Sequence, residues 1–340
     1  MDYDKIALEI KEELMIYIAG HLPFVIKGSF LTSQYHRDPY KRLLNGGDID
    51  LVYRNRHSNI PVPEKFGYGS YHQFIREIEK LLEKELVAIF YKLEEIMARK
   101  LNLQERPEFI LEFEELGYGG IFRDSGTVAL YLVNYAADGD FTTVGLEICD
   151  CKMSFEIDIA IDMPLHFQPE TILYKTVGGK EVALENTTPL LYQTAWKMHQ
   201  ILVRPRLKDL DDVIRFLAHI DFKDKNNFQT FFDEIISECR LADTKTCEGL
   251  ISVLKKLFSD ENTTKSLIVD KIVGCGLEMQ YYSNLYGIHN NAELLKNKVC
   301  ASFLKELHHS IDCEAALGYI NNKEPDSWAD RMDSTAKGIE

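Results

Sequence analysis

Hydrophobic positions recur along the chain in two rhythms, and the change from one to the other marks its organisation. Over residues 4–21, Ile6, Leu8, Ile10, Leu14, Ile16 and Ile18 are interleaved with acids and lysines, which predicts an amphipathic helix stopped by Pro23. Phe24-Val25-Ile26 follows as a short buried strand running into Lys27-Gly28-Ser29, and Phe30, Leu31 and Tyr35 restart a helix over 30–37. Asn45-Gly46-Gly47 reads as a turn, and Asp48-Ile49-Asp50-Leu51-Val52-Tyr53 alternates with period two, as a strand does. A Pro/Gly-containing loop covers 54–69 and a long charged amphipathic helix covers 71–101. Strands are predicted at Gly126–Tyr135, Thr143–Ile148 and Ser154–Ile161; Gly117-Tyr118-Gly119-Gly120 is a turn leading into a hairpin, and Asp138-Gly139-Asp140 a second turn. In the last strand Phe155, Ile157, Ile159 and Ile161 face one way, and Glu156, Asp158 and Ala160 the other.

Beyond residue 186 the strand-like alternation stops. Residues 189–318 read as successive helices with Gly/Asn joints near 225, 260, 275 and 290, and the segment from Asn321 is polar. The predicted class is α+β: an α/β core domain over 1–186, with a mixed β-sheet and flanking helices, a C-terminal helical domain over 187–320, and a flexible tail over 321–340.

Composition narrows the function classes. The 340 residues are 45% hydrophobic and 27% charged, the profile of a globular protein with a full core. No apolar run is long enough to cross a bilayer, and the N-terminal stretch Met1-Asp2-Tyr3-Asp4-Lys5 lacks the basic and apolar regions of a signal peptide. A cytoplasmic location without a membrane partner is expected. Seven scattered cysteines without a CxxC pair argue against disulfide stapling, and Cys149 and Cys151 have no further ligands at zinc spacing. The histidines His36, His57, His72, His166 and His199 show no metal-binding spacing, and helix packing accounts for Tyr281, Tyr282 and Tyr286. A formal net charge of −15 does not describe a surface coated for nucleic acid, although a local basic patch is compatible with it.

The residues that carry chemistry lie near the N-terminus. A Gly28-Ser29 turn at a helix start lets backbone N–H groups and a hydroxyl approach a phosphate closely. Asp48 and Asp50, two apart on a strand, present carboxylates on one face. Asp158, in the middle of a separate strand, supplies a third; Glu156 on the same face and Asp162 just beyond the strand are its rivals. Three convergent carboxylates repel one another unless a hard cation sits among them, and Mg2+ (or Mn2+) carrying the phosphates of an NTP is the usual solution. Solvated edge carboxylates are the plainer reading of a D-x-D alone; the Gly-Ser turn before it and the Asp after it favour the cation site.

These features resemble the nucleotidyltransferase superfamily of the DNA polymerase beta type. A second motif narrows the resemblance. Residues 188–217 (Thr-Pro-Leu-Leu-Tyr-Gln-Thr-Ala-Trp-Lys-Met-His-Gln-Ile-Leu-Val-Arg-Pro-Arg-Leu-Lys-Asp-Leu-Asp-Asp-Val-Ile-Arg-Phe-Leu) place a lysine on a helix, an Arg-rich turn, and a Lys-Asp-x-x-Asp opening to the next helix. This is similar to the AbiEii/AbiGii toxin family, the toxin halves of bacterial abortive-infection and toxin–antitoxin pairs. The two motif regions span roughly residues 20–220. Helix capping by first-turn acids is the competing account of the second motif taken alone.

The resemblance implies a nucleotidyltransferase-type mixed sheet with a C-terminal helical domain. It implies a metal-dependent enzyme that moves an NMP from an NTP to an acceptor, RNA or tRNA first, with a cognate antitoxin protein as partner. Gly28 and Ser29 would hold the triphosphate, Asp48, Asp50 and Asp158 the metal, and Lys197 a phosphate. Asp209 would position or activate the acceptor or nucleotide, and Arg206 and Lys208 would neutralise phosphate charge. A small-molecule or protein hydroxyl as acceptor, or a catalytically inactive nucleotide-binding module, are the alternatives. The chain departs from the family in the long gap between Ser29 and Asp48, where His36–Leu44, with His36, Arg37, Lys41 and Arg42, is expected to form a flap.

Overall fold

Ile10, Leu14 and Ile18 recur at helical spacing in α1 (Tyr3–His21) and are fully buried. In the computed structural model they join Leu82, Leu86, Ile89, Leu93, Ile96 and Met97 of α4 (Tyr68–Leu101) in one core. The structure describes residues 3–44, 47–54, 68–102, 109–115, 127–134, 156–160, 165–240, 244–259, 268–272 and 276–323. For 68–79, 109–115 and 127–134, and for positions 3, 90, 101, 156, 158, 244 and 277, it describes the backbone alone. The chain separates into two compact units, Met1–Pro189 and Leu190–Glu340.

The first unit holds a mixed seven-stranded sheet among the described residues. Its strands are β1 (Phe24–Lys27), β2 (Ile49–Tyr53), β3 (Phe109–Glu115), β4 (Thr127–Asn134), β5 (Glu156–Ala160), β6 (Glu170–Lys175) and β7 (Glu181–Thr187), in the order β3-β4-β5-β2-β1-β7-β6. β2 runs parallel to β5 and β1 parallel to β7, while β1/β2, β3/β4, β4/β5 and β6/β7 are antiparallel. Strand alternation divides the central residues. Ile26, Ile49, Leu51, Ile157 and Ile159 join the core with α1 and α4, whereas Val25, Val52 and Ala160 form a small cluster of their own. Burying each of the larger apolar chains contributes about 1.5–3 kcal/mol.

Three sequence expectations change here. The sheet is larger than the sequence reading suggested, because β3, β6 and β7 were passed over: β6 is an edge strand with only Tyr174 fully buried, so its alternation is faint. Its outer edge is closed by Gln34, whose Oε1 accepts the Lys175 N–H at 2.8 Å and whose Nε2 donates to the Lys175 carbonyl at 3.3 Å. The helix expected over 30–37 is shorter, α2 (Ser29–Thr32) followed by a 3-10 turn at Ser33–Tyr35. The expected flap over 36–44 is instead packed in. It contains α3 (Pro39–Leu43), started by Pro39 and by Asp38 Oδ1 accepting the Lys41 N–H at 3.2 Å, and His36, Arg42 and Leu43 are buried. The turns at 117–120 and 138–140, the strand at 143–148, Cys149, Cys151, His57 and Asp162 lie outside the described residues.

The second unit is helical: α5 (Leu190–Val203), α6 (Leu207–Leu217), α7 (Lys225–Arg240), α8 (Thr244–Ser259), α9 (Gly276–Tyr286), α10 (Ala292–Ser310) and α11 (Cys313–Lys323). Met198, Leu210, Phe231, Phe232, Leu254, Phe303 and Leu307 are among the fully buried residues of its core. α11 runs two residues past Asn321, where the polar tail was expected to begin. No described helix is long and apolar enough to cross a membrane.

One buried acid ties α1 to the sheet margin. Glu12 Oε1 accepts the Tyr174 hydroxyl at 2.9 Å and the Val177 N–H at 2.8 Å, and burial raises the Glu12 pKa to about 7. With a folded pKa above the unfolded one, the stabilisation is complete at low pH and is lost as pH rises from about 4.5 through 7. Glu12→Gln removes this titration. Relative to wild type, the variant should gain on the order of 2 kcal/mol between pH 5 and pH 8, read as hydrogen-exchange protection of α1 corrected for intrinsic rates. An unchanged difference at the two pH values would show that Glu12 does not titrate as its burial requires.

Candidate functional site

Backbone register assembles the first candidate site. Two rows cross the centre of the sheet: Val25 pairs with Val52 and Val52 with Ala160, while Lys27 pairs with Asp50 and Asp50 with Asp158. An apolar row therefore lies beside a charged row of one cation and two acids on β1, β2 and β5. Asp158, rather than Glu156, occupies the register position opposite Asp50.

The turn after β1 is shaped by the same row. Gly28 adopts φ 77° and ψ −150°, a region that side chains avoid. A Cβ there would lie 1.8 Å from Asp50 Oδ2, so the glycine leaves room for the carboxylate. The Ser29 N–H points at Asp50 Oδ2 at 3.4 Å. The Ser29 hydroxyl donates to the Asp48 carbonyl at 3.1 Å and accepts the Asp48 N–H at 3.2 Å. Gly28-Ser29 and the Asp48–Asp50 segment are thus held together, as the sequence reading required.

Each carboxylate has a lysine nearby. Lys11 Nζ on α1 stands 3.6 Å from Asp48 Oδ1 and donates to the Gly47 carbonyl at 3.0 Å; Lys27 Nζ stands 3.6 Å from Asp50 Oδ1. At 3.6 Å these are ion pairs rather than hydrogen bonds. The Asp48 and Asp50 side chains remain 35% and 21% exposed, so their oxygens keep lone pairs for a further ligand. Oxygen donors of this kind suit a hard divalent cation. Among the described side chains no group of three His, Cys, Asp or Glu residues could hold a metal; the third carboxylate depends on Asp158, whose side chain lies outside them.

The second candidate set gathers between α5 and α6. Lys197 Nζ lies 2.8 Å from Asp209 Oδ1 and 2.9 Å from Asp212 Oδ2. Arg206, at the N-cap of α6, donates from Nε to Asp209 Oδ2 at 2.6 Å and from Nη2 to Asp209 Oδ1 at 3.2 Å. Asp209 and Asp212 are completely buried. Burial alone would raise the Asp209 pKa, but Lys197 and Arg206 overcome it and hold the pKa below the ordinary carboxylate value. An ionised acid bound to two cations is a poor proton acceptor, and Asp209 holds Lys197 and Arg206 in fixed positions. The Lys208 backbone N–H donates to Glu278 Oε1 at 3.0 Å.

The sequence reading missed several members of these clusters. Lys11 and Lys27 were not singled out, although Lys27 directly precedes the Gly-Ser turn and shares the strand face of Val25. Asp212 was noted only as a first-turn acid. Asp211 was given no partner, yet Arg215 approaches both its oxygens at 3.2 Å and the Tyr286 hydroxyl donates to it at 3.0 Å. His199 is a buried core histidine whose pKa burial lowers to about 4. Comparison with protein-family models, curated proteins and solved structures finds no match to this chain.

Two variants probe these arrangements. Gly28→Ala should cost at least about 2 kcal/mol in urea unfolding, since it adds both backbone strain and a collision with Asp50; a loss under half that would mean Asp50 is free to move aside. Lys197→Met should cost roughly 3–5 kcal/mol, because it strands buried carboxylates. A near-neutral Lys197→Met would show that Arg206 alone suffices for Asp209.

Proposed function

We propose that the protein is a metal-dependent nucleotidyltransferase that transfers an NMP from an NTP to an acceptor. The observation that carries the reading is the register row Lys27–Asp50–Asp158, with the Gly28-Ser29 turn against it. Asp48 and Asp50, with Asp158 as the third acid, would hold Mg2+ or Mn2+, and the nucleotidyltransferase-type sheet belongs to the same proposal. When bound, the cation would neutralise triphosphate charge and acidify the attacking hydroxyl. The chain's own part is positioning. The Ser29 N–H lies beside the Asp50 carboxylate, where a phosphate oxygen would compete for it, the Ser29 hydroxyl holds the Asp48 backbone in place, and Gly28 permits close backbone approach.

The resemblance of residues 188–217 to AbiEii/AbiGii toxins makes RNA, and a tRNA 3′ end in particular, the first acceptor to test, with an antitoxin as the implied partner. It assigns Lys197 to a phosphate. The Lys197 side chain is 15% exposed and its ammonium already holds two carboxylates, so a phosphate would have to share it with Asp209 and Asp212.

The test incubates the purified protein with total bacterial RNA, Mg2+ and each α-labelled NTP, beside an Asp48→Asn/Asp50→Asn control. Label in RNA with one nucleotide, lowered at least 10³-fold in the control, is the expected outcome. Label on a small molecule or on protein would move the acceptor to that class. Equal behaviour of protein and control would sink the catalytic reading and leave a nucleotide-binding module.

A further inference from the structure

Lys11 and Lys27 stand where a metal-dependent site has least obvious need of them, one beside each carboxylate proposed to bind the cation. They come from different elements, α1 and the end of β1, so the pairing does not follow from local sequence. Both are largely buried, at 13% and 22% side-chain exposure. Both sit at 3.6 Å, near enough to neutralise and too far to occupy a carboxylate lone pair by a hydrogen bond. Among the described residues, Lys11 donates to the Gly47 carbonyl and Lys27 has only its ion pair with Asp50.

Resting on the nucleotidyltransferase reading, we propose that Lys11 and Lys27 are exchangeable counter-ions that couple cation binding to nucleotide binding. Without ligand they balance Asp48 and Asp50. A divalent cation arriving alone meets carboxylates already neutralised and is repelled by two ammonium groups. A cation arriving with a triphosphate brings its own negative charge, to which the lysines turn as the metal takes the carboxylates. The site therefore binds metal and nucleotide as one complex and binds the free cation weakly. Charge balance underlies the exchange: Asp48 and Asp50 are offset by Lys11 and Lys27 before binding, with Asp158 adding one further negative charge, and a divalent cation with a triphosphate brings net negative charge that the lysines receive.

The experiment uses the full chain, with Lys11→Met, Lys27→Met and the charge-keeping Lys27→Arg. The probes are MnCl2 alone and the α,β-methylene analogue of each of the four NTPs at saturating MnCl2. Removing a lysine should tighten binding of free Mn2+ at least fivefold and weaken the analogue at least tenfold; Lys27→Arg should stay within threefold of wild type in both. If Lys→Met leaves Mn2+ binding unchanged or weaker, or leaves analogue binding unchanged, the counter-ion role is overturned while the nucleotidyltransferase reading stands. If wild type binds none of the four analogues, that reading itself fails and this inference with it. Should the Met variants not fold, acetylation of Lys11 and Lys27 in wild type, read by mass spectrometry, decides instead. The analogue with Mn2+ should slow it at least threefold and MnCl2 alone should not; equal slowing by both, or by neither, overturns the role.

Discussion

The parallel register of β2 with β5 brings position 158 beside Asp50, and the centre of the first unit is organised around negative charge placed there. Adjacent strands lie about 4.8 Å apart, so acids at paired register positions concentrate negative charge on one row of the sheet. A sheet with no other purpose would place Val or Thr in such a row. The neighbouring row, Val25–Val52–Ala160, does what a sheet ordinarily does and packs apolar side chains across three strands. The change from an apolar row to a charged one happens within two residues on each strand. The offsetting features converge at that point: Lys27 on β1, Lys11 from α1, and a glycine whose missing Cβ leaves space for Asp50.

The two acidic clusters solve the problem of buried charge in opposite ways. In the helical unit, Asp209 and Asp212 are fully buried and bonded to Lys197 and Arg206 at 2.6–2.9 Å, so desolvation is offset by short, direct contacts. Such a cluster fixes the approach of α5 to α6 and gives little opening for another ligand. Around Asp48 and Asp50 the contacts are long and the carboxylates partly exposed. Partial exposure keeps the desolvation cost low, and long ion pairs are readily exchanged. Of the two, the cluster in the sheet leaves its carboxylates more accessible to a further ligand.

What the sequence disclosed followed from periodicity. Ile10, Leu14 and Ile18 announced α1, the alternation of Ile49, Leu51 and Tyr53 announced β2, and Ile157 and Ile159 announced β5, because each buries one face against a continuous core. β6 escaped notice because an edge strand buries little: Leu173 is 70% exposed, and the strand is secured by its antiparallel partner and by Gln34 instead. The carboxylates of the site were legible as a D-x-D and a later Asp, but their register could not be read, since strand order depends on contacts far apart in sequence. The lysine partners were invisible for the same reason; Lys11 meets Asp48 across 37 positions of chain. On α6, acids at 209, 211 and 212 looked like a solvated first turn, yet all three are buried, because their partners arrive from α5, from the N-cap and from α9.

The long interval between Ser29 and Asp48, a departure from the family resembled, leaves the two ends of the segment together. Loop length matters to a site only if it moves the loop's ends, and here the ends are pinned. The Ser29 hydroxyl donates to the Asp48 carbonyl and accepts its N–H, so the segment between them begins and finishes at one place whatever its length. Lengthening a loop costs only about 0.6 kcal/mol per doubling. The inserted residues return more than that, since Leu43 joins the core and Asp38 caps a helix of its own. Gly47, just before Asp48, is fixed by Lys11, the same lysine that faces Asp48. The insertion is therefore built into the first unit, and the residue that precedes the carboxylate shares an anchor with it.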